Sequence, residues 1–226
     1  MANLLDVPES WATLSHHVLA RGRVSDFVED VVQLPDGGTM TRQWTTHPGA
    51  VAVMALDEYQ RVAVVQQYRH PVGWRLLEPP AGILDGPGES PLDAARRELA
   101  EEAGLSAADW RVLVDWFSSP GGLQESLRIY LARSLTPVDR PDGFQPVDEE
   151  VDMGLAWVDL ADVVDGLYAG RLQSPSLAVG TLALALALRE GRVDRLRPAD
   201  APWPARDVQN QRDGRLVGPA DRGLGG

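Results

Sequence analysis

Three glutamates, Glu98, Glu101 and Glu102, fall within five residues of the stretch GESPLDAARRELAEEAGL (88–105). At i, i+3 and i+4 of a helix their side chains share one face, where like charges destabilise by roughly 0.2–0.5 kcal/mol per pair. No lysine stands four residues further on to balance them. A solvated charged face is the ordinary reading of such a turn. Against it stand the crowding of the acids and the Gly/Pro-rich stretch PPAGILDGPG (79–88) just before them. Carboxylate oxygens clustered without His or Cys suit a hard cation, Mg²⁺ or Mn²⁺, rather than Zn²⁺. Magnesium completes its shell with water and substrate phosphate oxygens, so the chemistry expected is that of a phosphorylated substrate.

The rest of the composition bounds that expectation. A formal net charge of −12 over 226 residues repels phosphate unless cations intervene. It also argues against nucleic acid as a partner, because counterion release needs clustered Lys and Arg. With no cysteine there is no disulfide framework or thiolate chemistry, which fits a reducing cytoplasm. The opening MANLLDVPESWATLSHH lacks a basic segment followed by an apolar one, so no secretory leader is expected. The longest apolar run, LAVGTLALALAL (177–188), is too short to span a bilayer and suits a buried helix. The expected location is the cytoplasm, with no membrane contact.

The elements that must carry the glutamates are legible around them. Ser90 stands as an N-cap, Pro91 at the first helical position and Asp93 at capping-box spacing. Leu92, Ala95, Leu99 and Ala103 form an apolar stripe, and Gly104 closes the helix. These cues predict a helix over about 91–103. Strands are expected at 22–33, 40–47, 50–56, 61–68, 74–78, 110–117, 126–133 and 151–160, with helices at about 159–169 and 175–190. Beyond residue 191 the chain turns to Arg, Asp, Pro and Gly without periodicity, which predicts a disordered C-terminal tail. A role for that tail in binding other proteins stays open. The fold class expected is α+β, a mixed β-sheet with helices on its outer faces.

From Gly82 to Leu105 the sequence reads G-x₆-E-x₇-R-E-L-A-E-E-A-G-L. This resembles the Nudix box, G-x₅-E-x₇-R-E-U-x-E-E-x-G-U with U a bulky aliphatic, and departs from it by one extra residue before Glu89. The resemblance implies the α/β/α sandwich of the Nudix fold. It implies metal binding by Glu98 and Glu102, joined by the Ala81 carbonyl and with Glu101 auxiliary. Arg97 and Glu89 are then expected to tie the loop to the helix as an ion pair.

The likeness runs from about Gly22 to about Leu188. HPGAVAVMALDE (47–58), VVQQYRHPVGWRLLEPPAG (64–82) and SSPGGLQES (118–126) look like the ADP-ribose pyrophosphatase branch, whose proline about fifteen residues after the box corresponds to Pro120. What this implies is Mg²⁺-dependent hydrolysis of ADP-ribose to AMP and ribose 5-phosphate, with Mn²⁺ as the alternative ion. Glu98 and Glu102 serve catalysis through the metal, and a loop glutamate, Glu149 or its neighbour Glu150, acts as base. Arg69, Arg42 and Glu78 match substrate-binding positions, with Phe27 or Trp44 to stack on adenine. The branch also implies a homodimer through a swapped N-terminal strand pair. The expected organisation is 1–46 as dimerisation segment, 47–190 as Nudix domain and 191–226 as tail. Another nucleoside diphosphate sugar is the alternative substrate. A non-catalytic ADP-ribose sensor is the alternative class, against which stand intact box acids and termini unlike a winged helix.

Overall fold

The computed structural model describes residues 4–140 and 154–216, with side chains as far as Arg212. In chain order come β1 (Thr13–Arg21), β2 (Asp26–Gln33), β3 (Thr39–Thr45), β4 (Ala50–Ala55), β5 (Arg61–Arg69), β6 (Trp74–Glu78) and β7 (Ala81–Ile83). Helix α1 (Pro91–Ala103) follows, then β8 (Leu105–Phe117), β9 (Ser126–Pro137) and β10 (Gly154–Asp159). The chain continues through α2 (Leu160–Tyr168), α3 (Pro175–Arg189), β11 (Arg197–Pro198) and α4 (Pro204–Leu216). Its contacts divide it into two compact units. One holds residues up to Gly49, Phe117–Ser126 and Pro202 onward; the other holds Ala50–Trp116 and Leu127–Ala201.

The first unit is built on an antiparallel sheet of order β1-β2-β3. Its β2–β3 turn, LPDGGT, closes because Gly37 takes φ +88° and Asp36 Oδ1 accepts the Gly38 N–H at 2.9 Å. Strand β1 lies in a segment for which no strand was expected. Most of its residues are exposed, so the alternation that marks a half-buried strand is missing, and only pairing with β2 defines it.

In the second unit a five-stranded sheet has order β11-β8-β9-β4-β7, and β10-β5-β6 form a separate antiparallel sheet. The expected mixed sheet is the first of these: β4 runs parallel to β9 and antiparallel to β7. Every residue of β4 is buried, as befits a strand covered on both faces. Ala52 and Met54 join Ile129, Leu177 and Leu184 in one core. Gly180 lets α3 approach, since a Cβ there would stand 2.8 Å from the Met54 sulfur. Val51 and Val53 point to the other face by alternation and are equally buried. Helix α1 packs on β4, β5 and β7.

The C-terminal region corrects the sequence reading. Residues 193–216 carry a 3-10 turn, β11 and α4, and Val193, Ala201, Trp203 and Gln209 are buried. A few well-placed side chains anchor this stretch without any apolar period, so a tail beginning at 191 starts too early.

Candidate functional site

The glutamates stand on the helix that local chemistry predicts. Ser90 Oγ accepts the Asp93 N–H at 3.1 Å and donates to Asp93 Oδ2 at 2.7 Å. At the other end Gly104, at φ +62°, returns its N–H to the Ala100 carbonyl. Ala94, Ala95, Leu99 and Ala103 are buried, which turns the adjoining face toward β7 and the loop after it.

On that face Glu102 is only 7% exposed, and its Oε2 accepts the Ala81 N–H at 2.9 Å. Glu98 lies against the next residue: a Cβ on Gly82 would fall 1.9 Å from its Oε1. The Ala81–Gly82 backbone therefore meets both carboxylates, and glycine at 82 leaves Glu98 its place.

The acids are not left to repel one another. Arg97 Nη1 donates to Glu98 Oε1 at 2.7 Å and to Glu101 Oε2 at 2.9 Å. Its Nε and Nη2 fork onto Glu89 at 3.0 and 3.2 Å. The expected Arg97–Glu89 ion pair is present, and the same guanidinium also compensates the cluster, which a search for lysines at i+4 misses. Arg97 is held above its ordinary protonation range, chiefly by the hydrogen bond to Glu89. Burial works against this, while the charges of Glu98 and Glu101 add to it. A cavity of about 410 Å³ opens beside this network, lined by Asp85, Gly86, Glu89, Arg97, Glu98 and Glu101 among others.

Arg69 and Glu78, expected to meet substrate separately, meet each other. Arg69 Nε and Nη2 reach the two Glu78 oxygens at 3.1 and 2.6 Å. Four further positions lie in the first unit. Arg42 is exposed, and its Nη1 donates to the Thr41 carbonyl at 3.1 Å. Trp44 is 8% exposed; its indole N–H donates to Asp30 Oδ2 at 2.8 Å, and the Arg212 guanidinium lies over its ring at 4.2 Å. Phe27 is 41% exposed. The β2–β3 register pairs Phe27 with Thr45 and Arg42 with Asp30, so Phe27 and Arg42 face opposite sides of the sheet. Pro120 is exposed in the connection between β8 and β9. Glu149 and Glu150 lie outside the described residues.

Sequence reasoning passed over a cluster around Asp30, which is 1% exposed. It pairs with His16 Nδ1 at 2.6 Å and Arg212 Nη2 at 3.0 Å, besides Trp44. Its members lie on four separate elements, β1, β2, β3 and α4, so no spacing announces it.

Among the described residues no three His, Asp or Glu side chains converge as they stand, because Glu98 and Glu101 turn to Arg97 and Glu102 to the Ala81 N–H. The donor set still fits a divalent cation. All its atoms are hard oxygens, Glu98 and Glu102 meet one backbone segment, and the space at Gly82 is left to a carboxylate.

An α+β fold presenting such a carboxylate helix against a glycine strand defines the class. The NUDIX domain family model matches residues 45–176, and the chain belongs to the Nudix family. It is 40% identical over 191 residues to the ADP-ribose pyrophosphatase of Mycobacterium tuberculosis, covering 84% of this chain and 90% of that protein. It is 37% identical over 141 residues to the methanol dehydrogenase activator of Bacillus methanolicus, covering 62% of this chain and 75% of that one. In fold it is similar to the crystal structure of an ADP compounds hydrolase, with a TM-score of 0.67 at 21% identity, over 84% of this chain and 100% of that one.

Proposed function

We propose that the protein is a divalent-cation-dependent hydrolase that cleaves the diphosphate of ADP-ribose to AMP and ribose 5-phosphate. The observation that carries this is the placement of both Glu98 and Glu102 against the Ala81–Gly82 backbone. The 40% identity to an ADP-ribose pyrophosphatase across most of both chains supports the choice of substrate.

Glu98 and Glu102, with the Ala81 carbonyl and Glu101, would hold the ion, which we take to be Mg²⁺. Held by these residues, such an ion would supply positive charge against the diphosphate and would lower the pKa of a bound water. Arg97 holds Glu98 and Glu101 on one guanidinium nitrogen and compensates their charge. Glu149, or Glu150 beside it, is the base that accepts the proton of the attacking water. Arg42 offers an exposed cation to phosphate. Arg69, held in shape by Glu78, offers a second cation to phosphate. Of the two aromatic candidates Phe27 has the exposed ring, whereas one face of Trp44 carries Arg212. Pro120 marks the recognition loop. The protein is read as a cytoplasmic homodimer joined through the 1–46 segment, with the catalytic domain over 47–190 and no nucleic-acid partner.

The test is turnover of ADP-ribose, ADP-glucose, GDP-mannose and diadenosine polyphosphates, each with Mg²⁺, with Mn²⁺ and with chelator. Fastest turnover of ADP-ribose, abolished by chelator, is expected. Preference for another member of the panel would replace the substrate, and turnover in chelator would remove the metal role.

A further inference from the structure

The connection between β8 and β9, SPGGLQE (119–125), has the composition of a mobile loop, and added side chains at Gly121 and Gly122 would meet nothing within 4 Å. The chain nevertheless pins it. Thr45 N–H donates to the Gly122 carbonyl at 2.9 Å, and Gln124 N–H returns a bond to the Thr45 carbonyl at 3.0 Å. The base of the loop is closed by Ser118 Oγ donating to Glu125, while the other Glu125 oxygen lies 3.6 Å from His47 Nε2. His47 Nδ1 accepts the Gly49 N–H at 3.1 Å.

Behind these anchors sits one amide from α4. Gln209 is 5% exposed. Its Oε1 accepts from Ser126 Oγ at 2.6 Å, and its Nε2 donates to the His47 carbonyl. A carbonyl only accepts, which fixes the orientation of the amide. One turn earlier on α4, Arg206 donates to the Pro48 carbonyl. There Gly49, at φ +84°, leaves room that a Cβ, 3.1 Å from Arg206 Nη1, would take. Gln209 thus joins the segment that follows β3 to the residue that starts β9, and these two bracket the loop.

We infer that Gln209 is a positioning residue: from α4 it fixes the 118–125 loop through His47 and Ser126, and so sets how tightly the nucleotide sugar is held. The inference rests on the functional reading above, in which Pro120 marks the recognition loop. A buried amide with both ends bonded keeps the loop in one conformation before substrate arrives, so binding does not have to order it. The cost of losing Gln209 therefore falls on substrate binding, while the carboxylates on α1 are untouched.

The experiment compares wild type with Gln209→Leu, which removes both bonds, and with Gln211→Ala on an exposed part of α4. The double variant Gln209→Leu with Ser126→Ala guards against poor folding, since replacing both partners of a buried bond by apolar groups is close to neutral for stability. Steady-state kinetics with ADP-ribose and amide hydrogen exchange over 118–125 are measured on each. In Gln209→Leu and the double variant KM should rise about tenfold with kcat within about twofold. Exchange over 118–125 should accelerate in both, and Gln211→Ala should match wild type. An unchanged KM in an active enzyme, or unchanged exchange over 118–125, overturns the inference. A wild-type protein that turns over no nucleotide sugar overturns the functional reading, and with it the assignment of substrate to the loop.

Discussion

Gly82 and Glu98 are matched so closely that a single methyl group would separate them: a Cβ at residue 82 would stand 1.9 Å from Glu98 Oε1 and 2.2 Å from its carboxyl carbon. The atoms in the way belong to a flexible side chain, so Gly82→Ala should fold. Glu98 would swing out of place instead. A misplacement of about 1 Å in a catalytic array costs on the order of 10²-fold, and that is the loss expected in kcat/KM. Thermal denaturation alongside the kinetics would show a melting temperature close to wild type. A large fall in melting temperature would mean that the glycine serves the fold rather than the carboxylate.

Arg97 joins Glu89, Glu98 and Glu101 through charged hydrogen bonds. Arg97→Met keeps an unbranched apolar stem and removes the charge, which leaves the glutamates to repel one another. Bonds to charged groups contribute roughly 1.5–3 kcal/mol in mutational series, and a loss near the low end is expected because the cluster is partly exposed. Urea denaturation without divalent cation would read it. Adding Mg²⁺ should narrow the gap to wild type, because a bound cation supplies the missing positive charge.

Which of these features could be read in advance follows from how local their causes are. Helix α1 is announced by Ser90, Pro91 and Gly104, each acting within a few residues, and the structure places its ends where those residues stand. Strand β7 falls in a Pro/Gly stretch and exists because Ala81 and Gly82 pair with β4, a partner some thirty residues away. Helix α4 has almost no apolar period; Arg206, Gln209 and Arg212 hold it to residues far back in the chain. The box glutamates were legible as a group, whereas the Arg69–Glu78 pair was not, since its partners stand on neighbouring strands and no spacing joins them.

Asp30 is a buried carboxylate whose partners are His16, Trp44 and Arg212. Asp30→Asn keeps the shape and discards the charge. Stability should fall by roughly 1.5–3 kcal/mol, the range for hydrogen bonds to charged groups. Denaturant unfolding would measure the loss. An unchanged midpoint would mean that these contacts contribute nothing net.

His47 is held below its ordinary value of 6.5, first by burial; the Glu125 charge opposes this and the Arg206 charge reinforces it. In the folded state the neutral ring is favoured, so the unfolded chain binds more protons in the interval between the lowered value and 6.5. Stability contributed by this group is therefore complete above pH 6.5 and is lost as pH falls toward the folded value. His47→Gln should show a flatter stability profile than wild type across that interval, measured by thermal melts in a pH series. Identical slopes would contradict the assignment.

Action of Glu98 and Glu102 on a diphosphate is tested most directly by chromatography of products. Wild-type protein and Glu98→Gln are each incubated with ADP-ribose, with and without Mg²⁺. AMP and ribose 5-phosphate should appear in equal amounts from wild type only when the ion is present, at a rate that falls on the order of 10²-fold or more in the variant. No AMP from wild type under any condition, or an unaltered rate in Glu98→Gln, would contradict it.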